Sequence, residues 1–460
     1  MLDTCKPSLA TVFEPTWESL RRHQSPQWLA DAKFGIYSHW GLSTIRHQPG
    51  CGDLTHEQQI ERFTAPRFDP EAWADLYRTA GARFAGPIIW HGSPFLHWDS
   101  AISTHNSARL GPGRDIAGEV LRAVNAAGMR GLVSFHTIDN GTWPDLAEEV
   151  VDRYAPDIVW VDASFGGTKA SQHFEIIQDS HFLGGETDAA DGPNLGHHPA
   201  DHIEQLDDRS QRRVIAHHFN AGAASGREVD FVYKSHDIPP GIGMRDLENG
   251  LMPNSAYDTW MTDLDLHAPT GWEEGWFYTE DMPLRSAADI VRRLMDVISK
   301  NGVLLLNAPP AAGGAFTDDV ASILRAIGAW LERFGEAVYD TSPWYLHGEG
   351  PTRIEPRPGS LACHHNDHFN KTQFVPEDLR FTTREDTLYV ASLGKPHGTL
   401  RVKALGTRYR FDAGRILDVR LLGDTDRLDW SHTPVGLDIR LPDNLPLDEL
   451  ANVFAVSLAA

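Results

Sequence analysis

Five short apolar runs in the first two thirds of the sequence each end in a cluster of polar or aromatic residues. An imidazole can exchange protons near neutral pH, and a carboxylate can act as a base or as a nucleophile. The clusters are HWG at His39, WHGSPF at Trp90, FHTID at Phe135, WVD at Trp160 and NAPP at Asn307. One such cluster alone would more simply cap a strand. Five together favour a single pocket that carries out chemistry.

Most of these clusters follow a helix and then a strand. From Asp69 the sequence has apolar residues at helical spacing, a glycine stop and a continuous apolar run to His91, and the same order returns three times before Asn307. Strands that are apolar on both faces and alternate with helices form parallel sheets. A (β/α) barrel and a doubly wound sheet both fit, but no GxGxxG follows an early strand, which disfavours a dinucleotide-binding sheet. In a barrel, the strand ends would meet at one catalytic rim.

The pattern changes after about residue 335, near the end of a long predicted helix. Short β-rich segments follow, separated by Gly, Asp and Pro, as in DTLYVASLG, RILDVRLLG and NVFAVSLA. This spacing is typical of antiparallel sandwiches. The sequence therefore predicts a catalytic barrel over residues 1–340 and a C-terminal β-sandwich over residues 341–460. Residues 184–211, rich in Asp, Gly and His, are predicted to form a long loop over one face.

Composition limits the classes of partner. A formal charge of -23 would repel phosphate backbones and anionic lipids, so we expect no nucleic-acid or membrane partner. No apolar stretch approaches membrane-spanning length, and no secretory signal is evident. Three widely spaced cysteines suit a reducing compartment. We expect a cytoplasmic protein, with a mature form of a secreted protein as the alternative; a homo-oligomer is compatible with the sequence.

Five segments, taken in order, resemble the landmarks of glycoside hydrolase family 29, the α-L-fucosidases. They are KFGIYSHWG (33–41), RFDPEAWADLYRTAGARF (67–84), DIVWVD (157–162), ISKNGVLLLNAPP (298–310) and AIGAWLERFGEAVYDT (326–341). The closing β-rich region is also similar to that family's C-terminal sandwich. The resemblance implies a (β/α) barrel and a retaining glycosidase that needs no cofactor, acting on a carbohydrate or glycoside through a covalent glycosyl-enzyme intermediate.

The resemblance also implies roles for two carboxyl groups, which a retaining glycosidase holds roughly 5–5.5 Å apart. Asp162 matches the family's nucleophilic aspartate at the end of a strand. Glu248, in RDLENG ahead of YDTWMTD and GWFY, is similar to the acid/base of one branch of the family. The alternative is that Glu248 only forms a salt bridge with Arg245, and Asp246 and Glu273 are then the fallback acids.

The segment WHGSPF departs from the family pattern of a lysine, two histidines, an aspartate, a glycine and a phenylalanine. His91 matches the first histidine, but Gly92 replaces the second. Losing a donor to a substrate hydroxyl can cost orders of magnitude in specificity. We expect a replacement contact from His136 or His97. Aromatic rings can pack on the apolar face of a sugar, with core packing as the alternative. The predicted substrate contacts are His39, Trp40, Trp90, His91, His136, Trp160, Arg245 and Trp276, with Trp272 as a further candidate.

Histidine clusters at 196–202, 216–220 and 363–368 contain potential zinc ligands. None has the HExxH spacing, so we predict solvated histidines and no metal site. Three functions remain open: hydrolysis of an α-L-fucoside or a related sugar, hydrolysis of an unusual natural-product glycoside, and a fucosidase fold used for isomerase or lyase chemistry or for carbohydrate binding.

Overall fold

The structure is a computed structural model that describes residues 12–136, 142–162, 209–234, 238–268, 275–355, 372–409 and 415–459. Eight buried parallel strands make up the first part of the chain, in the sheet order β6-β5-β4-β3-β2-β1-β8-β7. They are β1 (Phe34–Ser38), β2 (Phe84–Trp90), β3 (Arg130–Phe135), β4 (Ile158–Val161), β5 (Asp230–Tyr233), β6 (Met244–Arg245), β7 (Trp260–Asp265) and β8 (Gly302–Asn307).

The two ends of this sheet meet and close it into a barrel. Asp246, just after β6, forms a parallel bridge with Met261 of β7. The backbone N–H groups of Leu247 and Asn249 donate to the carbonyls of Met261 and Asp263, at 2.9 and 2.8 Å. This confirms the predicted (β/α) barrel and leaves all strand carboxyl ends on one rim.

Helices surround the barrel, and their caps explain where they begin. Asp69 accepts a hydrogen bond from the N–H of Ala72 and Pro70 occupies the first turn of α5, while Ser286 and Thr317 cap the two long helices near the end of the barrel. The described helices are α1 (Trp17–Leu20), α2 (Gln27–Ala32), α3 (Leu42–Arg46), α4 (His56–Arg62), α5 (Pro70–Thr79), α6 (Ile116–Ala126), α7 (Trp143–Tyr154), α8 (Arg209–Ser225), α9 (Ala287–Ser299) and α10 (Asp318–Phe334).

The C-terminal part consists of antiparallel strands in a five-stranded and a three-stranded sheet, ordered β13-β16-β11-β10-β9 and β12-β15-β14. The β-sandwich prediction is therefore confirmed. The strands are β9 (Ser342–Glu349), β10 (Leu379–Arg384), β11 (Thr387–Ser392), β12 (Thr399–Val402), β13 (Arg415–Leu421), β14 (Trp430–Thr433), β15 (Gly436–Arg440) and β16 (Asn452–Ala459). The boundary predicted after residue 340 lies between α10 and β9, and stays a prediction.

The sandwich packs on the barrel through buried polar contacts. Trp330 of α10 donates its indole N–H to the carbonyl of Ala451 at 2.9 Å. Asp296 of α9 is fully buried and receives Lys300 at 2.8 Å and Arg380 of β10 at 2.6 Å. Each partner offsets part of the cost of burying the carboxylate, so this interface joins the two parts in a specific orientation.

The structure bears on two further expectations, the long loop over residues 184–211 and the lack of a membrane-spanning segment. Most of the predicted loop over 184–211 lies outside them, but its end, from Arg209, belongs to α8 rather than to a loop. None of the described helices combines the length and apolar character needed to cross a bilayer.

Candidate active site

Successive residues of a strand point to opposite faces, and this alternation decides which rim residues enter the barrel. Tyr37, Trp160 and Val232 belong to one buried cluster inside the barrel, whereas Ile36, Val161 and Tyr233 pack between strands and helices. Continuing each strand by this rule sends His39, His136, Asp162, Lys234 and Glu248 inward. The side chains that meet at the carboxyl ends of the strands therefore include three of the predicted site residues, after β1, β3 and β4, and Glu248 after β6.

Three imidazoles line one side of this rim. The ring of His39 lies 5.6 Å from that of His91 and 4.7 Å from that of His136, and the rings of His91 and His136 are 5.0 Å apart. His39 Nδ1 donates to Asn307 Oδ1 at 3.0 Å, which leaves Nε2 as an acceptor. Burial, more than any neighbouring charge, lowers the pKa of His39 well below its usual value and that of His91 to about 3. Both rings are therefore neutral near pH 7.

His91 also has an unused polar atom. Among the described residues, no group forms a hydrogen bond with its buried Nδ1. Leaving a buried nitrogen without a partner costs free energy.

Each carboxylate oxygen of Asp162 contacts a different side chain. Its Oδ2 lies 3.0 Å from His136 Nδ1, and its Oδ1 lies 3.0 Å from the Nζ of Lys234. Burial disfavours the charged form, but Lys234 and then His136 outweigh it and hold the pKa of Asp162 well below the usual range. Its side chain is still 31% exposed. Asp162 is thus an ionised carboxylate that a ligand can reach.

Ser134 completes a chain of hydrogen bonds behind Asp162. Its Oγ lies 2.7 Å from His136 Nε2, so the order is hydroxyl, imidazole, carboxylate, as in acyl-transfer triads. Ser134 has no exposed surface, however, and cannot attack a substrate. When the neutral His136 donates from Nδ1 to Asp162, its Nε2 accepts from the Ser134 hydroxyl, which keeps the ring in that tautomer.

Glu248 shares a cation with Asp162. The Nζ of Lys234 lies 2.6 Å from Glu248 Oε2 as well as 3.0 Å from Asp162 Oδ1. The two carboxylate oxygens are therefore separated by no more than the sum of these distances. The Glu248 side chain is 19% exposed. At Glu248 Oε2 the ion pair is formed with Lys234, and not with Arg245 as in the predicted alternative.

Two further acids lie beneath this pair and are inaccessible. Asp263 has no exposed surface; it contacts Lys234 at 3.0 Å and accepts from the Tyr37 hydroxyl at 2.7 Å. Asp246 is 1% exposed and accepts from Trp160 Nε1 at 2.6 Å and from the N–H of Asp263 at 3.0 Å. Burial raises the pKa of both acids, and that of Asp246 well above its usual value. As a fallback acid, Asp246 is placed where no substrate can contact it.

Several predicted contact residues are not brought to the pocket. Trp40 packs among Phe63, Phe68 and Trp73 in the core outside the barrel. Trp90 is buried on the outer side as well, because the pairing of β2 with β3 shifts by a residue between Ile88 and Trp90. The rings of the two tryptophans thus take the alternative that the sequence left open, core packing.

Trp160 and Arg245 flank the site without lining its mouth. Trp160 is fully buried inside the barrel, with its ring 4.8 Å below the Nζ of Lys234. Arg245 pairs in register with Tyr233, which faces the helices, and burial lowers its pKa to about 10. His97 is also buried and turns its Nδ1 to the carbonyl of Ile88 at 3.2 Å, so His136 and not His97 joins the histidine group.

Trp276 and Phe277 cover the histidines. The Trp276 ring is 5.1 Å from His39 and 5.4 Å from the Nζ of Lys234, and the Phe277 ring is 4.8 Å from His91. Trp276 therefore lies beside the histidines, and its contact with substrate stays a prediction; Phe277 was not among the predicted contacts. Glu273 and Trp272 lie outside the described residues.

The residue that sequence reasoning missed is Lys234, on which the arrangement depends. It follows the apolar run DFVY directly, in the same way that Asp162 follows DIVWV. The signal was thus present. It escaped notice because a strand of only four residues after an irregular segment carries little periodicity.

The histidine group also raises the question of a metal. The ligand atoms of His39, His91 and His136 lie within 4.8 Å of one another. Both ring nitrogens of His136 already contact Ser134 and Asp162, so this set has no third free ligand. Of the clusters named from the sequence, only 216–220 is described; there His217 contacts Asp152 at 2.7 Å and His218 contacts the carbonyl of Asp230 at 3.0 Å.

Comparison with known proteins assigns the chain to a family. Residues 1–146 and 139–336 match the family model described as α-L-fucosidase, which covers well over half of the chain. The chain belongs to the α-L-fucosidase family. This is glycoside hydrolase family 29, and the protein is accordingly a glycoside hydrolase.

Individual relatives are similar to this chain over about three quarters of its length or more. The tissue α-L-fucosidase of Rattus norvegicus is 25% identical over 94% of this chain and 89% of its own length. The plasma α-L-fucosidase of Homo sapiens is 26% identical over 74% of each. The crystal structure of Thermotoga maritima α-fucosidase in complex with fucose superposes with a TM-score of 0.71, at 22% identity, over 96% of this chain and all of that one. The last similarity establishes the shared fold.

Proposed function

We propose that this member of the α-L-fucosidase family is a retaining exo-glycosidase that hydrolyses a terminal α-L-fucoside, with Asp162 as nucleophile and Glu248 as general acid/base. The observation that carries the proposal is the single ammonium group that contacts both carboxylates, at 3.0 and 2.6 Å. The sum of these distances lies below the roughly 6.5–9.5 Å that inverting glycosidases need for a water molecule between their carboxyl groups.

The first step transfers the sugar to the enzyme. An Asp162 oxygen attacks the anomeric carbon while the bond from that carbon to the aglycone oxygen breaks, and Glu248 gives its proton to the departing oxygen. The low pKa of Asp162 supports the nucleophilic role, because the attacking group must be ionised. In the second step the Glu248 carboxylate takes a proton from water, whose oxygen displaces Asp162 and releases the sugar.

Neutral imidazoles suit the recognition of sugar hydroxyls. Each neutral ring has one donor and one acceptor, and the Nε2 of His39 is left for a ligand. Trp276 and Phe277 provide apolar surface for the sugar ring. The family name and the fucose complex of the Thermotoga maritima protein favour L-fucose as the sugar.

A related sugar is the second candidate, and Gly92 favours it. A methyl group added to this glycine would meet no described atom within 4 Å. The described residues therefore leave space beside Gly92, which favours an L-galactoside or a decorated deoxysugar with an extra substituent. The cytoplasmic location also stays a prediction, based on the three widely separated cysteines.

The test is a rate survey on aryl α-L-fucoside, α-L-galactoside and unrelated aryl glycosides. We expect turnover of the fucoside or galactoside that falls by several orders of magnitude in Asp162→Ala and Glu248→Ala. Asp152→Ala is the matched control, because Asp152 also pairs with a histidine but lies on the surface. A fluorinated fucoside that forms a stable ester should label Asp162. No turnover and no label from folded protein would refute the proposal.

A further inference from the structure

Lys234 occupies the centre of the site and has no role yet. Its Nζ is within 3.0 Å of oxygens of Asp162, Glu248 and Asp263, which uses all three N–H groups of an ammonium ion. The side chain is only 10% exposed, and its Nζ lies 4.8 Å from the centre of the Trp160 ring. Burial alone would favour the neutral amine, but the surrounding carboxylates raise the pKa of Lys234 well above its usual value. It is therefore a fixed positive charge.

The proposed reaction moves a negative charge between two neighbours of this cation. When the Asp162 oxygen bonds to the anomeric carbon, the resulting ester loses its charge. In the same step Glu248 gives up its proton and becomes a carboxylate. The charge has left the oxygen 3.0 Å from Nζ and has appeared 2.6 Å from it. The third neighbour, Asp263, takes no part in these bonds and anchors the ammonium together with Tyr37.

We propose that Lys234 is a positioning residue that serves the two catalytic carboxylates in turn, holding Asp162 for attack and then stabilising Glu248 as the carboxylate that activates water. This inference rests on the proposed function. A single cation at this place balances the charge before and after the first step, so the pocket needs no rearrangement of solvent, as in other preorganised electrostatic sites.

The proposal predicts how pH dependence changes without Lys234. Removing the cation raises the proton affinity of Glu248, so the alkaline limb of kcat/KM, where Glu248 loses its proton, moves upward. Removing the cation also raises the proton affinity of Asp162, so the acid limb of kcat/KM moves to higher pH too. The other titratable groups that the structure describes around the site are Tyr37, His39, His91, His136, Asp246, Asp263 and Asp265; of these, His136 contacts Asp162.

The experiment compares pH profiles of kcat/KM for wild-type protein, Lys234→Met and Lys234→Arg. We expect both limbs of Lys234→Met to move up by at least one pH unit and kcat to fall more than tenfold, with most of the shift restored in Lys234→Arg. Lys33→Met is the matched control: Lys33 is also a buried lysine, but it precedes β1 at the opposite end of the barrel. Its limbs should stay at the wild-type pH.

Two outcomes would overturn the inference. A Lys234→Met protein with a native circular dichroism spectrum, lower activity and unmoved limbs would show a purely structural lysine. Limbs in Lys234→Met that shift no further than in Lys33→Met would have the same meaning. If Lys234→Met does not fold, Lys234→Gln replaces it.

The failure of the proposed function is recognised separately. If the wild-type protein hydrolyses none of the glycosides, the same variants are titrated by 13C NMR of labelled aspartate and glutamate carboxyl groups, with Asp162→Asn and Glu248→Gln to assign the signals. Upward shifts of both titrations in Lys234→Met would keep the pairing and reject only the reaction. Unmoved titrations would reject the pairing itself.

Discussion

Replacing His136 with phenylalanine should move the acid limb of activity to higher pH. His136 donates one of the two contacts that hold Asp162 ionised, at 3.0 Å, and phenylalanine keeps most of the ring volume without the donor. A hydrogen bond to a charged group contributes about 1.5–3 kcal/mol. At 1.36 kcal/mol per pKa unit, its loss raises the pKa of Asp162 by about 1–2 units.

Solvent decides where in this range the shift falls. The Asp162 side chain is 31% exposed, so water can replace part of the lost contact, and we expect about 1 unit. Attack requires the carboxylate, so activity exists above the pKa of Asp162 and disappears as pH falls through it. A raised pKa therefore moves the loss of activity to higher pH while leaving the alkaline limb in place.

The assay is the pH dependence of kcat/KM on an aryl α-L-fucoside between pH 3 and 9, a range chosen to span the two limbs. His217→Phe is the matched control, because His217 also pairs with an aspartate, at 2.7 Å, but on the surface. An acid limb at the wild-type pH in His136→Phe, with the fold intact, would refute the electrostatic role assigned to this histidine.

Three further changes test the fold and the pocket. Arg380→Met leaves the buried Asp296 with one cation fewer and should lower the free energy of unfolding by about 3–5 kcal/mol, measured with urea. Trp40→Ala should cost a similar amount through a core cavity, whereas Trp276→Ala should mainly raise KM for the glycoside. Gly86→Ala should prevent folding, seen as a lost circular dichroism signal, because the new methyl carbon would lie 1.7 Å from a backbone oxygen of β3.

The sequence by itself was sufficient to predict the architecture. Apolar residues at helical spacing alternating with apolar strands predicted a parallel sheet covered by helices, and the resemblance to the α-L-fucosidase family implied that this sheet is a barrel. Short β-rich segments after residue 335 predicted the sandwich, and both parts are observed. These patterns are local, because burying both faces of a parallel strand requires a continuous apolar run. The clusters after β1, β2, β3 and β4 could likewise be placed on one rim, since parallel strands end on the same side.

Only the tertiary structure decided which of these side chains meet. His39 and Trp40 are neighbours in sequence, but the alternation of the strand sends one inward and the other into the outer core. A register shift in β2 does the same for His91 and Trp90. Lys234 joins Asp162 and Glu248, which are far apart along the chain, because β4, β5 and β6 are adjacent in the barrel. Their shared ion pair depends on the order of the strands in the sheet, which no local pattern encodes.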